Sequence, residues 1–241
     1  MIAPTDRGFT LGDGLFETVL AVDGDLRHLA DHAARMIAGC ATLGLPAPTL
    51  GRLAAAVPKL DTGRQAVRFT WSAGDGGRGL DRPDTVAPVL TVTVAPAPPP
   101  GPARLVTARA VRRNERSPAA NLKTLAYLDN VLARREARAA GGDEAVMLNT
   151  KDELACAAAA NLFWISDGRV FTPALSCGVL PGLARARLMA TVDVEEVVAG
   201  PETPGAAEAV FITNSLVGVR QVAWLDGRDF PPHPLVESLS V

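Results

Sequence analysis

Apolar and polar residues alternate along this chain in two rhythms, and the rhythm changes mark its elements. Residues 16–22 have strand character and end at the turn pair Asp23-Gly24. Residues 29–43 carry the spacing of an amphipathic helix, stopped by Gly44. Residues 66–72 and 88–94 predict two more strands, separated by a glycine-rich loop. The first part is therefore mixed α and β. The run Ala95-Pro96-Ala97-Pro98-Pro99-Pro100-Gly101-Pro102 donates few backbone hydrogen bonds and favours an extended conformation, so it is taken as an interdomain linker.

Beyond it, residues 104–111 predict a strand, and residues 124–140 a helix with Thr124 as N-cap and Gly141-Gly142 as its stop. Residues 145–149, 162–165 and 169–172 are short strands, the last two joined as a hairpin through Ser166-Asp167-Gly168. A helix over 182–190 and strands near Val194, Val210 and Val222 follow. The domains expected are a small α/β domain over 1–94, the linker over 95–102, and a larger domain over 103–241.

Composition narrows the class. The 241 residues are 48% hydrophobic and carry 24 Lys+Arg against 26 Asp+Glu. A chain so apolar buries a core, and a net charge of −2 with no long run of one sign supplies no field for nucleic acid or an anionic membrane. Three scattered cysteines, Cys40, Cys156 and Cys177, form no CxxC pair and fit a reducing compartment. With no signal-like start and no run of roughly 18–20 apolar residues, a cytoplasmic protein is expected.

The candidate chemistry is sparse. Residues 74–79, Gly-Asp-Gly-Gly-Arg-Gly, fit GxGxxG, but Pro83 argues against the helix that a dinucleotide phosphate needs. That loop is either a surface turn or an arm bringing Arg78 to an anionic substrate. His28 and His32 share a helix face without a third ligand, so no metal site is expected. Lysine is scarce: only Lys59, Lys123 and Lys151 occur among 24 cations. Lysine does what arginine cannot, losing its proton to act as an amine nucleophile. Lys123 borders the apolar start of a helix, yet Tyr127, Asn130 and Arg134 would share its face as a solvated stripe. Spacing alone leaves both readings open.

The ordered motifs decide between them. Asp6-Arg7-Gly8 through Gly12-Asp13-Gly14-Leu15-Phe16-Glu17-Thr18, His32 through Arg35, and Asn121-Leu122-Lys123-Thr124-Leu125-Ala126-Tyr127-Leu128 are followed by Ala160-Asn161-Leu162-Phe163-Trp164, Gly178-Val179-Leu180-Pro181-Gly182 and Thr213-Asn214-Ser215-Leu216-Val217-Gly218-Val219-Arg220. Across nearly the whole chain this resembles the fold-type IV pyridoxal-phosphate enzymes. The resemblance implies an α/β (α+β type) two-domain fold like that of D-amino acid aminotransferase, with pyridoxal 5′-phosphate between the domains, and a homodimer. It implies that Lys123 bonds to the cofactor aldehyde and later moves the substrate proton. It also assigns Arg35, Ser215 and the amides of Leu183 and Ala184 to the phosphate, and Tyr127 to the ring oxygen.

Within that superfamily, residues 71–80, Arg112, Asn161-Leu162-Phe163-Trp164 and Thr213-Asn214-Ser215-Leu216 resemble aminodeoxychorismate lyases, which make 4-aminobenzoate and pyruvate for folate synthesis. Such a substrate carries two carboxylates, and Arg78 and Arg112 are the candidate arginines. An aminotransferase for branched-chain or D-amino acids is the alternative, and a cofactor-binding protein without turnover a further one. The chain departs from the family at Cys156, five residues before Asn161, where a glutamate usually meets the pyridine nitrogen. Glu153 would point to the other strand face unless a bulge shifts the register. A neutral thiol supports electron withdrawal less than a carboxylate does, which harms transamination more than an elimination driven by aromatisation.

Overall fold

Two units make up the computed structural model, which describes residues 2–240. One comprises residues up to Pro98 together with Leu122–Ala126, and the other Pro99–Asn121 together with residues from Tyr127 onward.

The first unit holds α1 (Arg7–Leu11), β1 (Gly14–Val22), β2 (Asp25–Leu26), α2 (Leu29–Leu43), α3 (Leu50–Ala55), β3 (Arg64–Ser72) and β4 (Val89–Pro96), with an antiparallel sheet in the order β2-β1-β3-β4. The period of two puts Leu15, Val19 and Ala21 of β1 on one face, opposite Trp71 and Val67 of β3. Against them α2 packs Ala33, Met36 and Cys40, one helical stripe. Gly39 permits this approach, since a Cβ there would stand 2.8 Å from Leu15 Cδ1. Gly44 takes φ 64° to end α2 where the sequence predicts.

Two expectations are corrected here. Ala95 and Pro96, read as linker, close β4 opposite Ala66 and Gln65. Proline is tolerated there because β4 is an edge strand with one neighbour. The helix predicted from Thr124 begins only at Leu128. Residues 123–125 instead pair with the edge of β1: Phe16 N donates to Lys123 O at 2.9 Å, Leu125 N to Gly14 O at 3.0 Å, and Thr124 bridges Leu15. Tertiary pairing overrides local helix preference.

The second unit holds β5 (Ala103–Thr107), α4 (Leu128–Ala139), β6 (Glu144–Leu148), β7 (Leu154–Ala157), β8 (Asn161–Ser166), β9 (Arg169–Pro173), α5 (Leu183–Met189), β10 (Val194–Val197), α6 (Thr203–Ala206), β11 (Ala209–Asn214), β12 (Gly218–Leu225), β13 (Arg228–Asp229) and α7 (Pro234–Ser238). Nine strands form one sheet in the order β10-β9-β8-β11-β12-β5-β6-β7, with β13 on β12. β5 and β6 are parallel, so the chain between them must cross over, and α4 lies within that connection. The β8–β9 hairpin turns through Asp167 (φ 49°) and Gly168 (φ 69°), both left-handed as a two-residue type I′ turn requires. Among the described residues no helix is long and apolar enough to cross a membrane.

Candidate active site

In the first unit the sheet and α2 assemble a buried charge cluster. Glu17 lies in phase with Leu15, Val19 and Ala21, so an acid occupies a position on the apolar face of β1 and is 2% exposed. A buried carboxylate must find donors. Two come from α2: His32 Nδ1 at 2.6 Å from Oε2, and Arg35 through Nε at 2.7 Å and Nη2 at 2.6 Å. Burial pushes the Glu17 carboxyl upward, but the bonds from His32 and Arg35 outweigh it and hold it below the ordinary glutamate value. His32 Nε2 is buried without a hydrogen-bond partner among the described residues.

Lys123 stands opposite Phe16 on the added edge segment, with Nζ 4.3 Å from the centre of the Phe16 ring. Arg68 of β3 covers the same ring at 3.7 Å. The residue keeps some exposed surface, but its amine is poorly hydrated, and desolvation pulls its pKa down to about 8. Glu17 works against that fall, while the positive charges of Arg35 and Arg68 deepen it. An amine that loses its proton near neutral pH is a competent nucleophile and base.

Lys123 and Arg35, both assigned to the cofactor by the resemblance, thus belong to the first unit, where the charges of Glu17, Arg35 and Arg68 act on the Lys123 amine and His32 shares Glu17; no role for Glu17, His32 or Arg68 was read from the sequence. The signal for Glu17 is its place in the apolar phase of a strand. His28, expected on His32's face, does not accompany it: it takes the left-handed N-cap position of α2 beside Asp31. Arg78 is exposed in the loop after β3, whose later residues are strapped down by Arg7, bound to the carbonyls of Asp81 at 2.8 Å and Leu80 at 2.9 Å.

The second unit holds most of the remaining candidates, on several elements. Asn161 pairs with Thr213 in register and donates through Nδ2 to Leu180 O at 2.9 Å. Gly182, the N-cap of α5, has no side-chain cap, and any Cβ there would collide with Asn161 Oδ1. Leu183 and Ala184 begin the helix. Ser215 follows Asn214, whose Oδ1 accepts from the amides of Leu216 and Val217, both at 2.9 Å. Thr213 Oγ1 is buried without a partner among the described residues. Tyr127 is the N-cap residue of α4. Arg112, read as a substrate arginine, is held by Asp152 at 2.8 Å and donates to the carbonyls of Arg109 and Val111 at 3.0 and 3.1 Å, so it ties its own loop together.

Cys156 sits on β7 opposite Met147, 5% exposed, in a cluster with Ala133, Ala137 and Cys177. Burial pushes its thiol up, so it stays protonated. The bulge that would re-aim Glu153 is present: the pairing with β6 slips between Met147 and Leu148, and Ala155 and Cys156 enter the same cluster. Glu153 consequently borders that cluster, with Oε2 accepting from Asn149 Nδ2 at 2.7 Å and 4.0 Å from Cys177 Sγ.

Comparison with known proteins follows the same lines. A solved structure from Legionella pneumophila, provisionally assigned as a 4-amino-4-deoxychorismate lyase, superposes with TM-score 0.90 at 30% identity, covering 98% of this chain and 92% of that one. The fold is that of a fold-type IV pyridoxal-phosphate enzyme, mixed α/β with two sheets. The amino-transferase class IV family model matches residues 14–224, and the chain belongs to that family. Aminodeoxychorismate lyase of Vibrio harveyi is 29% identical over 97% of this chain and 92% of its own length. A Methanocaldococcus jannaschii protein provisionally assigned as a branched-chain-amino-acid aminotransferase is 30% identical over 92% and 82%.

Members of the family depend on pyridoxal phosphate, and the residues present fit it. Lys123 offers a desolvated amine for an aldehyde. The uncapped start of α5, with the orphan Thr213 hydroxyl on neighbouring β11, offers polar groups to an anion.

Proposed function

We propose that this protein is a pyridoxal-phosphate-dependent lyase that converts 4-amino-4-deoxychorismate to 4-aminobenzoate and pyruvate, an anionic small molecule being its substrate. When bound, the cofactor supplies an aldehyde for amines and a ring that accepts electron density. Lys123 would hold the cofactor through its aldehyde, and its free amine would take the C4 proton of the substrate on Nζ. A pKa of about 8 suits that exchange near neutral pH. Departure of the side chain leaves an aromatic ring and, after a proton is returned, pyruvate. By the resemblance, Arg35, Ser215 and the amides of Leu183 and Ala184 would serve the phosphate, Tyr127 the ring oxygen, and Arg78 and Arg112 the substrate carboxylates.

The observation that carries the lyase reading is Cys156. A buried, protonated thiol where the family places a carboxylate favours the reaction least dependent on electron withdrawal by the ring. One observation favours an aminotransferase instead: the β7 bulge brings Glu153 to the side of the strand that Cys156 faces. Product analysis separates the two. Purified protein given 4-amino-4-deoxychorismate is expected to release 4-aminobenzoate and pyruvate in equal amounts. Formation of a 2-oxo acid from an L- or D-amino acid donor, with no 4-aminobenzoate, would replace the lyase by the aminotransferase.

A further inference from the structure

Glu17 is the hub of the first unit's polar cluster. It is one residue along β1 from Phe16, on whose ring Lys123 rests, and it points to the opposite face of the strand, where α2 supplies His32 and Arg35. A single buried carboxylate is therefore bound by two cationic or protonatable groups of α2 and is next in chain to the residue whose ring carries Lys123. Arg68 of β3 covers the same ring.

We propose that Glu17 is a positioning residue whose negative charge, shared between His32 and Arg35, tunes the reactivity of the Lys123 amine. The geometry makes this charge both fixed and divided. Two bonds from one guanidinium edge lock the carboxylate in place, and His32 takes a second lone pair of Oε2. In a poorly hydrated site such a charge acts across several ångströms with little screening. The groups that act on Lys123 are Glu17 of β1, which favours its protonated form, and Arg35 of α2 and Arg68 of β3, which oppose it. The inference rests on Lys123 being the reactive amine, but not on which substrate it serves.

The test is reductive methylation of the full chain, stripped of cofactor, with ¹³C-formaldehyde and a hydride donor. The rate at each lysine is followed by mass spectrometry from pH 6 to 10, and Lys59 and Lys151 serve as internal references. Wild type should label at Lys123 with a midpoint about 8. Glu17→Gln should lower that midpoint by about one unit and raise the rate at pH 7 about fivefold, leaving Lys59 and Lys151 unmoved. Glu17→Asp, which keeps the charge, should stay near wild type. Should Glu17→Gln fail to fold, Arg35→Gln gives the complementary reading, since loss of a neutralising cation should raise the midpoint. An unchanged or raised midpoint in folded Glu17→Gln would overturn the proposal, as would an unchanged or lowered one in Arg35→Gln. Absence of bound cofactor from the untreated protein, with these shifts intact, would instead count against the enzymatic reading alone.

Discussion

The first unit contains two carboxylates, Glu17 fully buried and Asp13 half-buried, each flanked by two cationic or protonatable side chains, and they do different work. Asp13 accepts from Arg7 Nε at 2.9 Å and from Arg82 at 2.9 and 2.6 Å. The remaining donors of those arginines go to backbone carbonyls: Arg7 to Leu80 and Asp81, and Arg82 to Leu43 at 2.5 Å. Arg82's hydrogen bond is the largest influence on Asp13 and holds its carboxyl below the ordinary range. Nearly all the bonding capacity of this cluster is consumed in stapling the loop after β3 to the β1 turn and the end of α2. Around Glu17 the balance is different. His32 Nε2 is left without a partner among the described residues, and the cluster acts on a lysine whose amine is half ready to lose its proton. Charge burial alone does not mark a reactive site. Unspent polar capacity beside a perturbed nucleophile does.

The largest expected consequence of that contrast concerns Lys123. Lys123→Ala should cut turnover by about a thousandfold or more and abolish the visible absorbance of bound cofactor. The fold should survive, because removing a poorly hydrated amine relieves a desolvation cost. Absorbance spectra and thermal melts of Lys59→Ala, Lys123→Ala and Lys151→Ala check this together. Loss of the absorbance in either of the other two variants, with its retention in Lys123→Ala, would reassign the reactive lysine.

Asp13→Asn should behave in the opposite way. It leaves Arg7 and Arg82 without their anion, and breaking such a partly buried pair costs about 1–3 kcal/mol, while Lys123 labelling keeps its midpoint. The pH dependence has a definite sign. A carboxyl lowered in the folded state contributes stability above its unfolded value, near 3.8, and that stability is lost as pH falls through the folded value. The gap in melting temperature between wild type and Asp13→Asn should therefore be full at pH 7 and shrink once the pH drops below about 4. A constant gap across that range would mean the charge is not what stabilises the loop.

How much of this was legible in the sequence depends on the range of the forces involved. The α2 helix, its glycine stop and the Asp167-Gly168 hairpin are local, and they stand where the patterns put them. The segment around Lys123 was misread as helix because its backbone partners, Gly14 and Phe16, lie more than a hundred residues earlier. Lys123 itself was legible only through ordered motifs, since spacing allowed a solvated stripe. Glu17 carried a readable mark, an acid in the apolar phase of a strand, but its partners on α2 could not be known before the helix was packed. Arg112 was read as a candidate substrate arginine, and the sequence did not reveal that Asp152 stands beside it.

The smallest expected effect is also the one that probes the second unit by the same rule. Cys156 lies among Ala133, Ala137 and Met147, with Arg113 drawing its thiol down and Glu144 pushing it up, both less than burial does. Cys156→Glu would add a carboxylate where the resemblance implies one. If that position faces the pyridine nitrogen, a charge-assisted hydrogen bond of roughly 1.5–3 kcal/mol is gained, and amino-donor transamination should rise by about ten- to a hundredfold. Formation of 4-aminobenzoate should change less, because aromatisation already drives its elimination. Glu153→Gln is the paired variant. If the bulge lets Glu153 serve the ring, this substitution should depress both reactions in wild type and lose its effect once Cys156→Glu is present, a non-additivity that a purely structural contact with Asn149 would not produce. Paired assays of the four proteins, each with its cofactor content measured, separate these outcomes. Transamination that stays flat in Cys156→Glu while the cofactor remains bound would place Cys156 away from the ring and leave the bulge at Met147 and Leu148 as the feature that decides which side chain meets it.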